Sequence, residues 1–157
     1  MNTFAGISEL ELAHLVGAVR PDAPSSDEAR EIFARAAWSG IVEPGDRVAG
    51  LLWSALGVAP ALESVISGET PQRVTDRVVE ALGTRGHHVD ENLAEVMGEA
   101  LNRWRPRVSS TEACAHLERA ARLGVVYVIP GDECWPSQLD DLGAHRPAGL
   151  WLRGDRK

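Results

Sequence analysis

The chain has 157 residues, 44% of them apolar and 25% charged, which suits one soluble globular domain, or one domain plus part of another. Its net charge of −7 is the wrong sign for holding nucleic acid by bulk electrostatics, although it leaves room for a local basic groove. The sequence reads as having no signal peptide and no apolar run of bilayer-spanning length, and the two cysteines, Cys114 and Cys134, are expected to be reduced thiols of a cytoplasmic protein.

The first twenty-four residues are read as an appendage. "ISELELAHLVGAV" places its apolar residues poorly on one helical face, and "RPDAPSS" after it has the composition of a linker. From Ser25 the pattern becomes regular. "SSDEAREIFARAAW" offers Ser25 as N-cap with Glu28 three residues on, a capping box, ahead of Ala29, Ile32, Phe33, Ala36 and Ala37 at helical spacing. "EPGDRVAGLLWSALG" aligns Val48, Leu51, Leu52, Ala55 and Leu56, and Gly57 stops it. "PALESVISG" is a short helix ending at Gly68.

"TPQRVTDRVVEALG" has Thr70 as cap and Pro71 in the first helical position, above Val74, Val78, Ala81 and Leu82. "DENLAEVMGEALNRW" carries the longest stripe, Leu93, Val96, Met97, Ala100, Leu101 and Trp104, and Pro106 prevents its continuation. "SSTEACAHLERAARLG" repeats the box with Ser109 and Glu112 and ends at Gly124. Six short helices over residues 25–123 describe a compact helical domain.

After Gly124 the period changes. "VVYVIP" is a β-branched run of strand length stopped by Pro130, and "GDECWPSQLDDL" reads as a turn followed by about two turns of helix. Leu150, Trp151 and Leu152, bounded by Gly149 and Gly154, then read as a second strand. Strand, short helix, strand is the opening of an α/β layer, and two strands alone are marginal in water. Residues 124–157 are therefore expected to begin a domain whose other strands lie outside this polypeptide.

Few residues are candidates for chemistry. His87 and His88 are adjacent, so on a helix they would point roughly 100° apart, and Cys114, His116 and Cys134 have no metal-ligand spacing. No nucleophile elbow and no phosphate-binding glycine loop occurs, and Asp140 and Asp141 read as capping or solvated carboxylates. No catalytic residue, metal or cofactor is expected.

"RWRPRV" is more suggestive. Arg103, Arg105 and Arg107 alternate around Trp104, a combination suited to phosphates and stacked bases. The same residues also read as a helix end, with Trp104 closing the apolar stripe and the arginines facing the negative end of the dipole. "ALGVAPALES" joins two helices through Gly57 and Pro60, a hairpin that can present backbone N–H groups to a phosphate, but it carries no lysine or arginine.

The stretch from Gly124 to Asp155, with Trp135-Pro136, Leu139, Leu142, Pro147, Leu150 and Arg153-Gly154 in order, resembles the junction in the DNA-processing protein A family (DprA/Smf). "ARAAWSGIVEPGDRVAGLLWSALGVAPALESVISG" and "NRWRPRV" resemble that family's helical N-terminal domain, so the likeness runs from about Asp27 to the end of the chain. Many members have tyrosine where this chain has Trp135, a ring of similar packing use.

The resemblance implies a mainly α fold. A compact SAM-like or helix-hairpin-like domain is followed by the first strands of a truncated Rossmann-like α/β domain. It implies a non-enzymatic parent that binds single-stranded DNA and passes it to a RecA-type recombinase during natural transformation. The family's glycine-rich DNA pocket has no counterpart in these 157 residues. The resemblance carries over no DNA-contacting residue, so Arg103, Arg105 and Arg107, read from their own pattern, are the candidates for weak DNA contact. The other class of reading is a stand-alone helical adaptor whose terminal strand adds to a partner's sheet edge.

Overall fold

The computed structural model describes residues 2–86 and 88–154. It is mainly helical, with two small two-stranded sheets. In chain order the elements are β1 (Thr3–Phe4), β2 (Ile7–Ser8), α1 (Glu9–Gly17), α2 (Ser26–Ile41), α3 (Arg47–Leu56), α4 (Val58–Ile66), α5 (Pro71–Thr84), α6 (Leu93–Trp104), α7 (Ser110–Arg122), β3 (Val126–Val128) and β4 (Leu150–Leu152). Short 3-10 segments cover Arg105–Arg107 and Ser137–His145.

All six helices expected between Ser25 and Gly124 are present, and side-chain caps head four of them. Ser25 and Glu28 form the reciprocal capping box at α2. Asp46 accepts from Val48 and Ala49 N–H at α3, and Thr70 caps α5 with Pro71 just inside it. At α7 the Ser109 hydroxyl accepts from Glu112 N–H.

The core gathers on α2, which packs against α1, α4 and α7 and buries residues on most of its circumference. At its centre Trp38 is fully buried and donates from Nε1 to the Val58 carbonyl at 3.0 Å. Trp53 and Trp104 meet it edge to face at 5.6 and 5.3 Å. Such pairs contribute about 0.5–1.5 kcal/mol beyond their area burial. Asp46 ties this cluster to a helix end, since its Oδ2 accepts from Trp104 Nε1 at 3.2 Å while its Oδ1 caps α3.

Residues 2–24 depart from the appendage reading. Phe4, Ile7, Leu12, Leu15, Val16 and Val19 are buried in the same core as the helices. The four from Leu12 to Val19 follow the spacing i, i+3, i+4, i+7, which is one helical face; Leu10, 83% exposed on another side, obscures it in the sequence. The β1–β2 hairpin turns through Ala5 and Gly6, both at positive φ, and sets Phe4 edge-on against Phe33. Separation into an appendage would leave these side chains in water.

The segment after Gly124 also packs on the helical core. Tyr127 is fully buried, its hydroxyl 3.0 Å from Ser39 Oγ, and its N–H donates to the Val19 carbonyl. Gly149 crosses the Tyr127 ring so closely that a Cβ there would lie 2.3 Å from the phenol oxygen. Gly50 on α3 meets the Ala144 backbone in the same manner, with a Cβ falling 1.8 Å from its carbonyl oxygen. Glycine is required at both contacts because backbone or ring occupies the space of a side chain.

The order strand, short helix, strand is observed, but its geometry differs from a βαβ unit. β3 and β4 pair antiparallel, Tyr127 opposite Trp151, and the connection is 3-10 with a break at Gly143 (φ 56°) rather than two α turns. A hand-over between parallel strands needs a crossover helix, and an antiparallel pair does not.

Candidate nucleic-acid interface

Each of the three arginines singled out in the sequence has a partner within the protein. Arg103, more than half exposed, lies 3.7 Å from Asp46. Arg105 begins the 3-10 turn and donates to the Glu69 carbonyl, with its Nε buried. Arg107 pairs with Glu43 at 2.8 Å and reaches the Ile41 carbonyl. Trp104, between them in sequence, is buried in the core and offers no face for stacking. The three guanidinium groups thus join the end of α6 to Asp46, to the α4–α5 connection and to the end of α2. Arg103 and Arg107 keep exposed surface.

The α3–α4 hairpin bends by 109° at Gly57 (φ 89°). No side chain caps α4, so the N–H groups of Val58 and Ala59 are without a side-chain partner. They open on a cleft of about 500 Å³ that Arg30, Arg35 and Arg146 line together with Asp27, Glu31 and Glu63. Arg35 is held by Glu31 and the Ala148 carbonyl, and Arg146 by Asp140 at 2.8 Å. The cleft carries as many carboxylates as guanidinium groups, so its field does not favour a phosphate.

The remaining sequence candidates are placed as follows. Trp135 is buried and donates to Asp140 at 3.1 Å, which pins the turn after β3. Asp140 accepts a second time, from Arg146, whereas Asp141 is exposed. Cys114 and Cys134 are free thiols; burial is the main cause raising the Cys114 pKa above its ordinary value. His88 and His116 are exposed, and His87 lies outside the described residues. Among the described residues no group of three or more His, Cys, Asp or Glu is arranged to hold a metal.

Two features were not visible in the sequence. First, Arg20 clasps Asp132 through both guanidinium nitrogens and also donates to the Tyr127 carbonyl, joining the N-terminal segment to the turn after β3. The Arg20 side chain is the leading cause that lowers the Asp132 pKa, and Ile129 N–H adds to it. Second, Trp151 leans on Tyr127, ring centroids 4.5 Å apart, and remains 37% exposed. It borders a groove of about 390 Å³ with Leu123, Val125, His116 and Arg119, and no carboxylate lines it. The groove draws on α2, α7, the α7–β3 connection and β4, so no local motif announces it.

The outer edge of β4 is open. Tyr127 N–H points to Val19, away from β4, so in an antiparallel ladder Tyr127 and Trp151 form a non-hydrogen-bonded pair. The N–H and C=O of Trp151 therefore point outward, and among the described residues no strand lies beyond β4.

No single helix among the described residues is long and apolar enough to cross a membrane. Comparison with protein-family models, with curated proteins and with solved structures finds no match.

Proposed function

We propose that this chain is the N-terminal part of a DprA-like DNA-processing protein of the cytoplasm. In this reading the helical core is a platform and the β3–β4 hairpin begins a Rossmann-like sheet. The parent binds single-stranded DNA and hands it to a RecA-type recombinase without catalysing a reaction. The observation that carries the reading is the open outer edge of β4 beside the half-exposed Trp151, on a hairpin that bears the family-like residues in order. A sheet that continues past β4 would pair that edge and cover the half-buried Leu150 and Leu152.

The role of Trp135 in holding the turn, and of Gly149 in letting β4 pass over Tyr127, supports reading this segment as a built junction. Arg103 and Arg107, each half exposed, remain the residues of the "RWRPR" stretch with surface for a weak phosphate contact; Arg105 is largely committed to Glu69. The nucleotide sequence downstream of the Lys157 codon tests the proposal. The expected finding is coding sequence for a strand ending in a glycine-rich turn with an arginine. Its absence in every frame contradicts the proposal.

The same open edge favours a second reading, an adaptor that accepts a partner's strand along β4. Co-purification of the 157-residue chain separates the two: a stoichiometric protein partner supports the adaptor, and a solitary folded monomer argues against it.

A further inference from the structure

We infer that the groove beside Trp151 is a contact site for single-stranded DNA, with one base stacked on the indole and the flanking phosphates on Arg119 and Arg153. The inference rests on the single-strand reading above and assigns it to residues outside the "RWRPR" stretch. Trp151 has one side against Tyr127 and is 37% exposed, whereas the other four tryptophans are buried or partly buried. A partly exposed indole held by a second ring is a fixed platform for a base, and base–aromatic stacking tolerates any sequence.

The charges around it suit a polyanion. Arg119 lines the groove from the last turns of α7, and Arg153 stands one residue past the end of β4, two positions after Trp151. Both are exposed, and neither forms an ion pair among the described residues. His116 lines the groove beside Arg119. In the cleft at the α3–α4 hairpin carboxylates offset the arginines; here no carboxylate lines the floor. Leu123, 53% exposed, supplies an apolar wall for the sugar and base edge.

The test uses the whole chain and a fluorescently labelled oligo-dT at low ionic strength, read by anisotropy. Arg119→Ala with Arg153→Ala should weaken binding about tenfold and lower the salt slope by about 1.4, two phosphate contacts at about 0.7 each. Trp151→Ala should weaken binding about tenfold, and Trp151→Phe, which keeps a ring, should restore most of it. Because Trp151 packs on Tyr127, the double arginine variant carries the test if Trp151→Ala fails to fold.

Unchanged affinity and slope in the double arginine variant overturn the site. If binding is instead lost when Arg103, Arg105 and Arg107 are all changed to alanine, the single-strand reading stands and only this location falls. No binding by the unmodified chain also overturns the site, while the reading of the parent is judged separately by the downstream codons. Binding of poly-glutamate in preference to oligo-dT overturns it in favour of an acidic protein segment.

Discussion

Gly50→Ala and Gly83→Ala make the same chemical change in two helices and should shift stability in opposite directions. Glycine costs a helix about 1 kcal/mol relative to alanine, so alanine is favourable wherever there is space. At Gly83 nothing lies within 4 Å of the new Cβ, and the exchange should stabilise by about 0.4–1 kcal/mol. At Gly50 the new Cβ would sit 1.8 Å from the Ala144 oxygen, 2.6 Å from its carbonyl carbon and 2.9 Å from its Cα. All three are backbone atoms, so no side-chain rotation relieves them.

The 3-10 segment must then move away from α3, loosening the nearby contact between His145 Nδ1 and the Gly45 carbonyl at 2.8 Å. Overpacking of this kind costs about 1–3 kcal/mol, which exceeds the propensity gain. With a urea slope of about 2 kcal/mol per M, an overpacking cost of about 2 kcal/mol less a propensity gain of about 1 kcal/mol lowers the midpoint by about 0.5 M. Equilibrium urea unfolding of both variants gives the comparison. If Gly50→Ala is as stabilising as Gly83→Ala, the segment after β3 does not dock on α3 and the packing described here is wrong.

Two further outcomes follow from titratable groups. The Asp132 pKa is lowered by Arg20, so the clasp contributes stability above the unfolded carboxyl pKa of about 3.9 and loses it as pH falls through the lower folded value. Asp132→Asn should therefore flatten the acid side of the stability profile below about pH 4, and an unchanged acid limb speaks against the clasp. Tyr127 is the only tyrosine, and burial raises its pKa above the ordinary value despite the Ser39 hydrogen bond. Its folded state favours the neutral phenol, so stability should fall as pH rises above about 10, with phenolate absorbance appearing together with unfolding. Phenolate formation at an ordinary pKa in the folded protein would contradict that burial.

The helical part was legible because its signals are local. Ser25 with Glu28, Thr70 with Pro71, and Ser109 act within one turn of their own sequence position, and each caps the helix it heads. The boundaries moved where a neighbour intervened: α2 continues past Trp38 to Ile41, and α6 starts at Leu93, with Asn92 making no side-chain cap.

The N-terminal helix was obscured because Leu10 adds an apolar residue off the buried stripe, and its partner α7 is far along the chain. The direction of β3 against β4 was also beyond reach, since a strand's own pattern does not encode the orientation of its partner. For the candidate site, the sequence placed three arginines around a tryptophan. It did not reveal that Trp104 turns inward while the arginines find Asp46, Glu69 and Glu43. The Arg20–Asp132 clasp and the Trp151–Arg119 groove join residues more than thirty positions apart and exist only after folding.

The central claim is a hairpin docked through β3 and open along β4, and amide hydrogen exchange tests it most directly. The account predicts slow exchange at Tyr127, whose N–H is held by Val19, and at Leu150 and Leu152, which face β3. It predicts fast exchange at Trp151, between them. Protection of Trp151 equal to that of its two neighbours would mean that the outer edge is already paired, and would contradict the account.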